Sequence, residues 1–253
     1  MKLSLLDGLV WAISFLGTIA LLGVLLWRAR WKQFPVLTSW MAYQTAYNIA
    51  MFALYVHGSA KLYVRIYWIT LWPDFLLQLG VAVEIARIVL RPTGTWVRDA
   101  RSLFMTAGFG GAVVAAILSW WISPPHGTYT AWELRADLFT SLVICELFVA
   151  MSFTANHLGL GWRNHVMAEG QGLTAWAGIM TITTALQSYF GNKHFDTIDH
   201  FRGIAWIGAT AWIAIRLWLP EPERLPLSED LQKYILALHR RVEYDLRRLD
   251  AGQ

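Results

Sequence analysis

Seven stretches of nearly continuous apolar residues, separated by short polar loops, organise this chain: Leu5–Trp27, Pro35–Tyr55, Ile66–Leu90, Leu103–Ile122, Leu138–Leu158, Val166–Phe190 and Gly203–Leu219. Each is close to the ~20 residues with which a helix crosses the hydrocarbon of a bilayer. Helices apolar on all sides belong in a membrane or a large core, and loops this short leave no polar shell for such a core. The pattern therefore predicts an all-α polytopic membrane protein with seven transmembrane helices over residues 1–219. The first stretch is too long for a cleavable signal peptide and has no small-residue cleavage site after it, so it reads as a spanning helix.

A different pattern follows. Pro220, Pro222 and Pro226 make a stiff linker. Ser228 then reads as an N-cap, with Glu229 and Asp230 in the first turn. Leu231, Tyr234, Ile235, Leu238, Val242, Leu246 and Leu249 recur at helical spacing, which predicts an amphipathic helix within residues 220–253. Its charges balance, whereas a membrane-surface helix carries a basic excess. It is expected to pack on cytoplasmic loops, a protein partner or a second copy of the chain.

Composition agrees with a bilayer as solvent. The chain is 56% hydrophobic and 15% charged, against ~25% charged in soluble domains. Most of its 15 Trp, Trp40 among them, fall near segment ends, as interfacial anchors do. With the N-terminus outside, Arg28, Arg30, Lys32, Arg87 and Arg98 face the cytoplasm. Lys61, Arg65 and Arg135 face outward, and the Lys/Arg bias gives an N-out, C-in topology. The net charge of +4 follows from that bias, and no basic stripe interleaved with aromatics points to nucleic acid. Cys145, the single cysteine, excludes an internal disulfide.

Polar side chains at membrane depth carry the chemistry, because each is costly there. The third segment holds Pro73, Asp74 and Gln78, the last two sharing a face at i,i+4. Asp74 reads either as a cap beyond a proline kink or as a carboxylate facing an outward cavity. Gln44 and Asn48 form a similar pair on the second segment. Glu146 lies mid-segment with no opposite charge within a turn. Asp74, Gln78, Glu146, Gln44 and Asn48 are the candidate cavity residues. On the cytoplasmic side, Glu84 is expected to pair with Arg87 and Arg91, and His157, His165 and Glu169 join them in a polar cluster. His194, Asp196 and His200 in the last outer loop are weak metal candidates, with a solvated loop the blander alternative. Ala107–Ala112, AGFGGA, is expected to permit close helix packing.

Cofactor chemistry is limited by what is missing. A retinal Schiff base needs a lysine on the last helix, and Gly203–Leu219 has none. Haem b needs paired intramembrane histidines, and the zinc hydrolases related to alkaline ceramidase need a late HxxxH pair. Neither pattern is present, and no GxSxG, HExxH or P-loop occurs. No cofactor is predicted.

The stretch Phe34–Thr38 and the run from Asp74 through Glu84 to Arg101, with RIVLRPTGTWVRDAR at its end, resemble a group of uncharacterised seven-helix integral membrane proteins of acidobacterial type. The resemblance implies a bacterial cytoplasmic membrane. The architecture is also similar to the seven-helix sensory modules of bacterial histidine kinases. The expected function is a sensory or ligand-binding module with an outward polar cavity and a cytoplasmic output helix. The alternatives are a small-solute or proton-coupled transporter, an intramembrane enzyme and a structural subunit.

Overall fold

The computed structural model describes residues 5–90, 98–122, 128–157, 164–190 and 195–220. These form seven α-helices: α1 (Leu5–Trp27), α2 (Pro35–His57), α3 (Ala60–Leu90), α4 (Arg98–Ile122), α5 (Thr128–His157), α6 (Asn164–Phe190) and α7 (Phe195–Trp218). A 3-10 turn, Arg30–Lys32, joins α1 to α2. Four helices are long and apolar enough to cross a membrane: α1, and the stretches Lys61–Val89, Met105–Ile122 and Ala131–Phe153 of α3, α4 and α5. The amphipathic tail lies outside the described residues, as do His194 and the side chain of His157.

The helices alternate in direction. Asp7 at the start of α1 meets His200 near the start of α7, so those two run parallel. Trp11 of α1 stacks on Phe52 late in α2, so α2 is antiparallel to both. Neighbours follow the ring α1, α2, α3, α5, α6, α7 and back to α1, with α4 packed on the outside of α5. At the end of the ring where α1 terminates, Leu25, Phe34, Leu37, Val81, Ile85, Met151, Val166, Ile213 and Leu217 form a continuous apolar plug. The polar space described below lies towards the other end.

Two local devices fix this frame. The first is at the start of α2. Its N-cap residue Phe34 offers no side-chain cap, and Pro35 at the first helical position has no N–H to satisfy. The next two donors, Val36 N–H and Leu37 N–H, bond to the two carboxylate oxygens of Glu84 at 2.8 and 3.0 Å. Phe34 N–H and Thr38 N–H bond to the carbonyls of Arg30 and Phe34. Every donor of the first turn is thereby accounted for, and α2 is tied to α3. Glu84 is thus a cap across helices, and the expected close pairing with Arg87 is corrected: Arg87 is exposed, no ion pair joins the two, and its charge acts on Glu84 from beyond contact. Arg91, the other expected partner, lies outside the described residues. Two backbone donors at a positive helix end suit a buried carboxylate better than a side chain that leaves for the solvent.

The second device is Pro73. The helix α3 continues through it from Ala60 to Leu90. A proline here removes an N–H, and it frees the carbonyl four residues earlier. The adjacent Thr70 carbonyl accepts Tyr43 Oη at 2.5 Å, so α2 also braces α3 at this weak point.

Candidate functional site

Three helices begin earlier than their apolar stretches suggest. The residues α5 and α7 gain at their N-terminal ends include Glu133, Asp137, Asp199 and Arg202. Read as loop, these groups would be solvated. On helices they turn toward the ring interior and, with the late part of α2 and α6, surround a cavity of about 780 Å³. Polar lining comes from Gln44, Asp74, Gln78, Glu133, Asp137, Gln187 and Arg202, and aromatic lining comes from Tyr43, Tyr47, Tyr67 and Trp176. A second recess of about 230 Å³ shares Asp74 and Gln78 and extends toward α1 past Asn48 and Trp206.

Asp74 is the hub. Its Oδ1 accepts Trp40 Nε1 at 2.7 Å and Gln44 Nε2 at 2.5 Å, and its Oδ2 accepts Gln78 Nε2 at 2.7 Å. All three donors are neutral N–H groups, which suit a carboxylate that only accepts. The capping alternative for Asp74 is replaced by this side-chain network, which ties α2 to α3 at mid-depth. Asn48 is one turn further along, donating to the Gln44 carbonyl at 2.8 Å and accepting Trp11 Nε1 at 3.2 Å.

Beneath the cavity, Trp40, Trp176 and Trp206 form a triad from α2, α6 and α7. Centroid separations are 5.3 to 6.0 Å, with tilted to edge-on planes. Edge-to-face geometry is the favourable one for such quadrupoles. Trp40 is only 1% exposed, so the anchor reading of it is corrected: its N–H is a buried donor to Asp74. Trp206 Nε1 donates to Thr18 Oγ1 at 3.2 Å, which in turn donates to the Ser14 carbonyl, linking the triad to α1. Spacing on one helix cannot reveal a triad drawn from three.

At the cavity wall Glu133 accepts a hydrogen bond from Tyr67 Oη. Arg202 donates through Nε and Nη2 to Thr183 and Thr184 Oγ1, at 3.2 and 2.9 Å. The i,i+4 pair Glu133 and Asp137 was the signal that sequence reading left unused, because both precede the apolar run that starts at Leu138.

Glu146 is not in this constellation. It faces α4, where a Cβ added to Gly111 would meet its Oε2 at 2.5 Å. That oxygen is buried and has no hydrogen-bond partner. The neighbouring Gly108 brings Leu147 similarly close, so the glycines of AGFGGA let α4 pack on α5 and leave room for the carboxylate.

The cluster expected on the cytoplasmic side divides as well. Glu84 serves α2, Arg87 is exposed and His165 accepts Arg30 Nη2 at 2.9 Å through Nε2. Arginine cannot deprotonate, so the His165 proton at this contact resides on Nδ1. Glu169 is completely buried, and neither of its oxygens has a hydrogen-bond partner. Of the metal candidates, Asp196 is exposed and His200 Nε2 is 2.7 Å from Asp7 Oδ1. No group of three metal-binding side chains occurs among the described residues.

Compared with known protein families, curated proteins and solved structures, the chain matches none.

Proposed function

We propose that this chain is a seven-span protein of a bacterial cell membrane, N-terminus outside, that binds a small solute in the ring cavity and signals through its helices to the cytoplasmic tail. The observation that carries the reading is the cavity: a large, polar-lined space toward the end of the bundle at which α1 begins. Small-molecule sites of ~300–1,000 Å³ with a few convergent polar groups are the common form of ligand pockets. The sequence bias of Lys and Arg makes that end the outer one.

The three less apolar helices support seven spans in their own way. They contain 23, 27 and 24 residues. Their polar groups include those of the ring interior, while Ile49, Phe52, Ile182, Ile204 and Ile215 are exposed. Intramembrane polar groups behave so, facing the bundle and leaving lipid to aliphatic side chains. A ligand among Asp74, Gln78 and Gln44 would press on the joint between α2 and α3, and on the tryptophan triad that meets α6 and α7.

The test has two parts. Cysteines introduced by Ser59→Cys and Ala29→Cys, in a Cys145→Ala background, should react with an impermeant thiol reagent from outside and from inside respectively. Reversed labelling would sink the orientation. In sealed proteoliposomes the protein should respond to ligand in tryptophan fluorescence without moving it across the bilayer. A proton-coupled transporter is the second reading, favoured by Glu169, a fully buried carboxylate without partners toward the closed end. Ligand-dependent proton flux that Glu169→Gln abolishes would establish that reading and overturn the sensor.

A further inference from the structure

The cavity is rich in acceptors with open positions. Asp74 already takes three hydrogen bonds, leaving one of about four lone-pair positions. Asp137 makes no hydrogen bond or ion pair to a described residue. Gln187 is only 6% exposed, lines the same space, and its Oε1 has no partner. Two of the tyrosine hydroxyls are already engaged, since Tyr43 bonds the Thr70 carbonyl and Tyr67 bonds Glu133, while Tyr47, Thr140 and Ser141 keep hydroxyls that can either donate or accept.

Charge points the same way. Four carboxylates line the cavity, Asp74, Glu133, Asp137 and Asp199, against the single guanidinium of Arg202. That guanidinium is held by two threonines and forms no ion pair with a described carboxylate. Arg202 acts on both Asp137 and Asp199, and acidic groups still outnumber it around the space. The carboxylates are spread around the space, and no three of them converge as a metal site would require. Between them lie the rings of Tyr47 and Trp176 and the apolar side chains of Leu71, Phe75, Leu134 and Met180. Aromatic faces attract organic cations.

We infer that the cavity takes a small protonated organic amine with an apolar body. Its N–H groups bond the unpartnered acceptors of Asp137 and Gln187 and the open position on Asp74, and its body lies against the rings. The inference rests on the reading of this cavity as a ligand site and adds the ligand's charge and donor character.

The experiment is a calorimetric titration of the full chain in lipid nanodiscs with four probes sharing one apolar body. These are phenethylammonium, its N,N,N-trimethyl derivative, 2-phenylethanol and 3-phenylpropionate. The primary ammonium should bind at least about tenfold more tightly than the other three. Asp137→Asn should weaken it by roughly tenfold or more at unchanged thermal stability, since loss of a buried charge partner is costly. If Asp137→Asn fails to fold, Gln187→Leu carries the same test with a smaller loss. Equal binding by the alcohol or the anion removes the charge argument, and equal binding by the trimethyl form removes the N–H argument. No binding of the primary ammonium at millimolar concentration removes the whole inference. Met180→Trp, which fills the cavity, separates the two levels. If the primary ammonium binds no more tightly than a probe that is not an amine, and Met180→Trp abolishes binding of that probe, the site survives and the amine is overturned. If every bound probe ignores it, site and amine fall together.

Discussion

Replacing Glu84 by glutamine tests how α2 is started. The parent carboxylate gives one oxygen to Val36 N–H and the other to Leu37 N–H, at 2.8 and 3.0 Å, from a side chain only 7% exposed. Glutamine has a single acceptor oxygen, so one backbone donor loses its partner and faces an amide N–H instead. An unsatisfied buried donor costs about 1–3 kcal/mol. Loss of the negative charge from a helix N-terminus costs a further ~1 kcal/mol in a partly buried setting. Relief of the buried charge offsets part of this, leaving a net loss of about 2 kcal/mol. For a chain of this size that lowers the melting temperature by about 4–8 °C. The assay is thermal unfolding in detergent followed by tryptophan emission, with Arg87→Gln as the comparison. Arg87 is exposed and unpaired with Glu84, so its removal should cost less than about 0.5 kcal/mol. A melting temperature for Glu84→Gln within about 1 °C of the parent would refute the capping argument. So would an equal loss in Arg87→Gln, which would restore the ion pair read from the sequence.

Four further outcomes follow from the same geometry. Gly111→Ala should destabilise by about 1–3 kcal/mol through overpacking against Glu146, and Glu146→Ala should recover most of it in a double-mutant thermal-unfolding cycle. Trp40→Phe removes one donor to Asp74 and thins the triad, for an expected loss of about 2 kcal/mol. Its combination with Gln78→Leu should be non-additive in denaturant unfolding, because both act on one carboxylate. Ala29 sits at φ 52°, the described residues' one non-glycine with positive φ, so Ala29→Gly should raise stability by about 0.5–1 kcal/mol in the same unfolding assay. Asp7→Asn should change stability by less than about 1 kcal/mol in salt-dependent melts, because its His200 contact is partly exposed.

The helices were legible because long apolar runs are a simple signal. Four of the helices are apolar enough to cross a membrane, and runs near 20 residues stand out one helix at a time. The starts of α3, α5 and α7 were not legible. Their first turns mix exposed polar groups with residues such as Glu133 and Asp137, which a window of hydropathy scores as loop. Asp74, Gln78 and Gln44 could be singled out as costly at depth, but not their convergence, since spacing fixes a helix face and never the neighbour it meets.

The sequence by itself determined the all-helical class, the apolar runs at the heart of the seven helices, and which polar residues needed a partner. Those are local properties of residues against their solvent. Only the tertiary structure decided which partner each received. It gave Glu84 to the N-terminus of α2, 47 positions away from Leu37. It gave Trp40 to Asp74 and set Glu146 against a glycine on α4, outside the cavity. Hydrogen bonds and close packing act over a few ångströms in space between residues far apart in the chain, and that pairing is settled when the ring of helices closes.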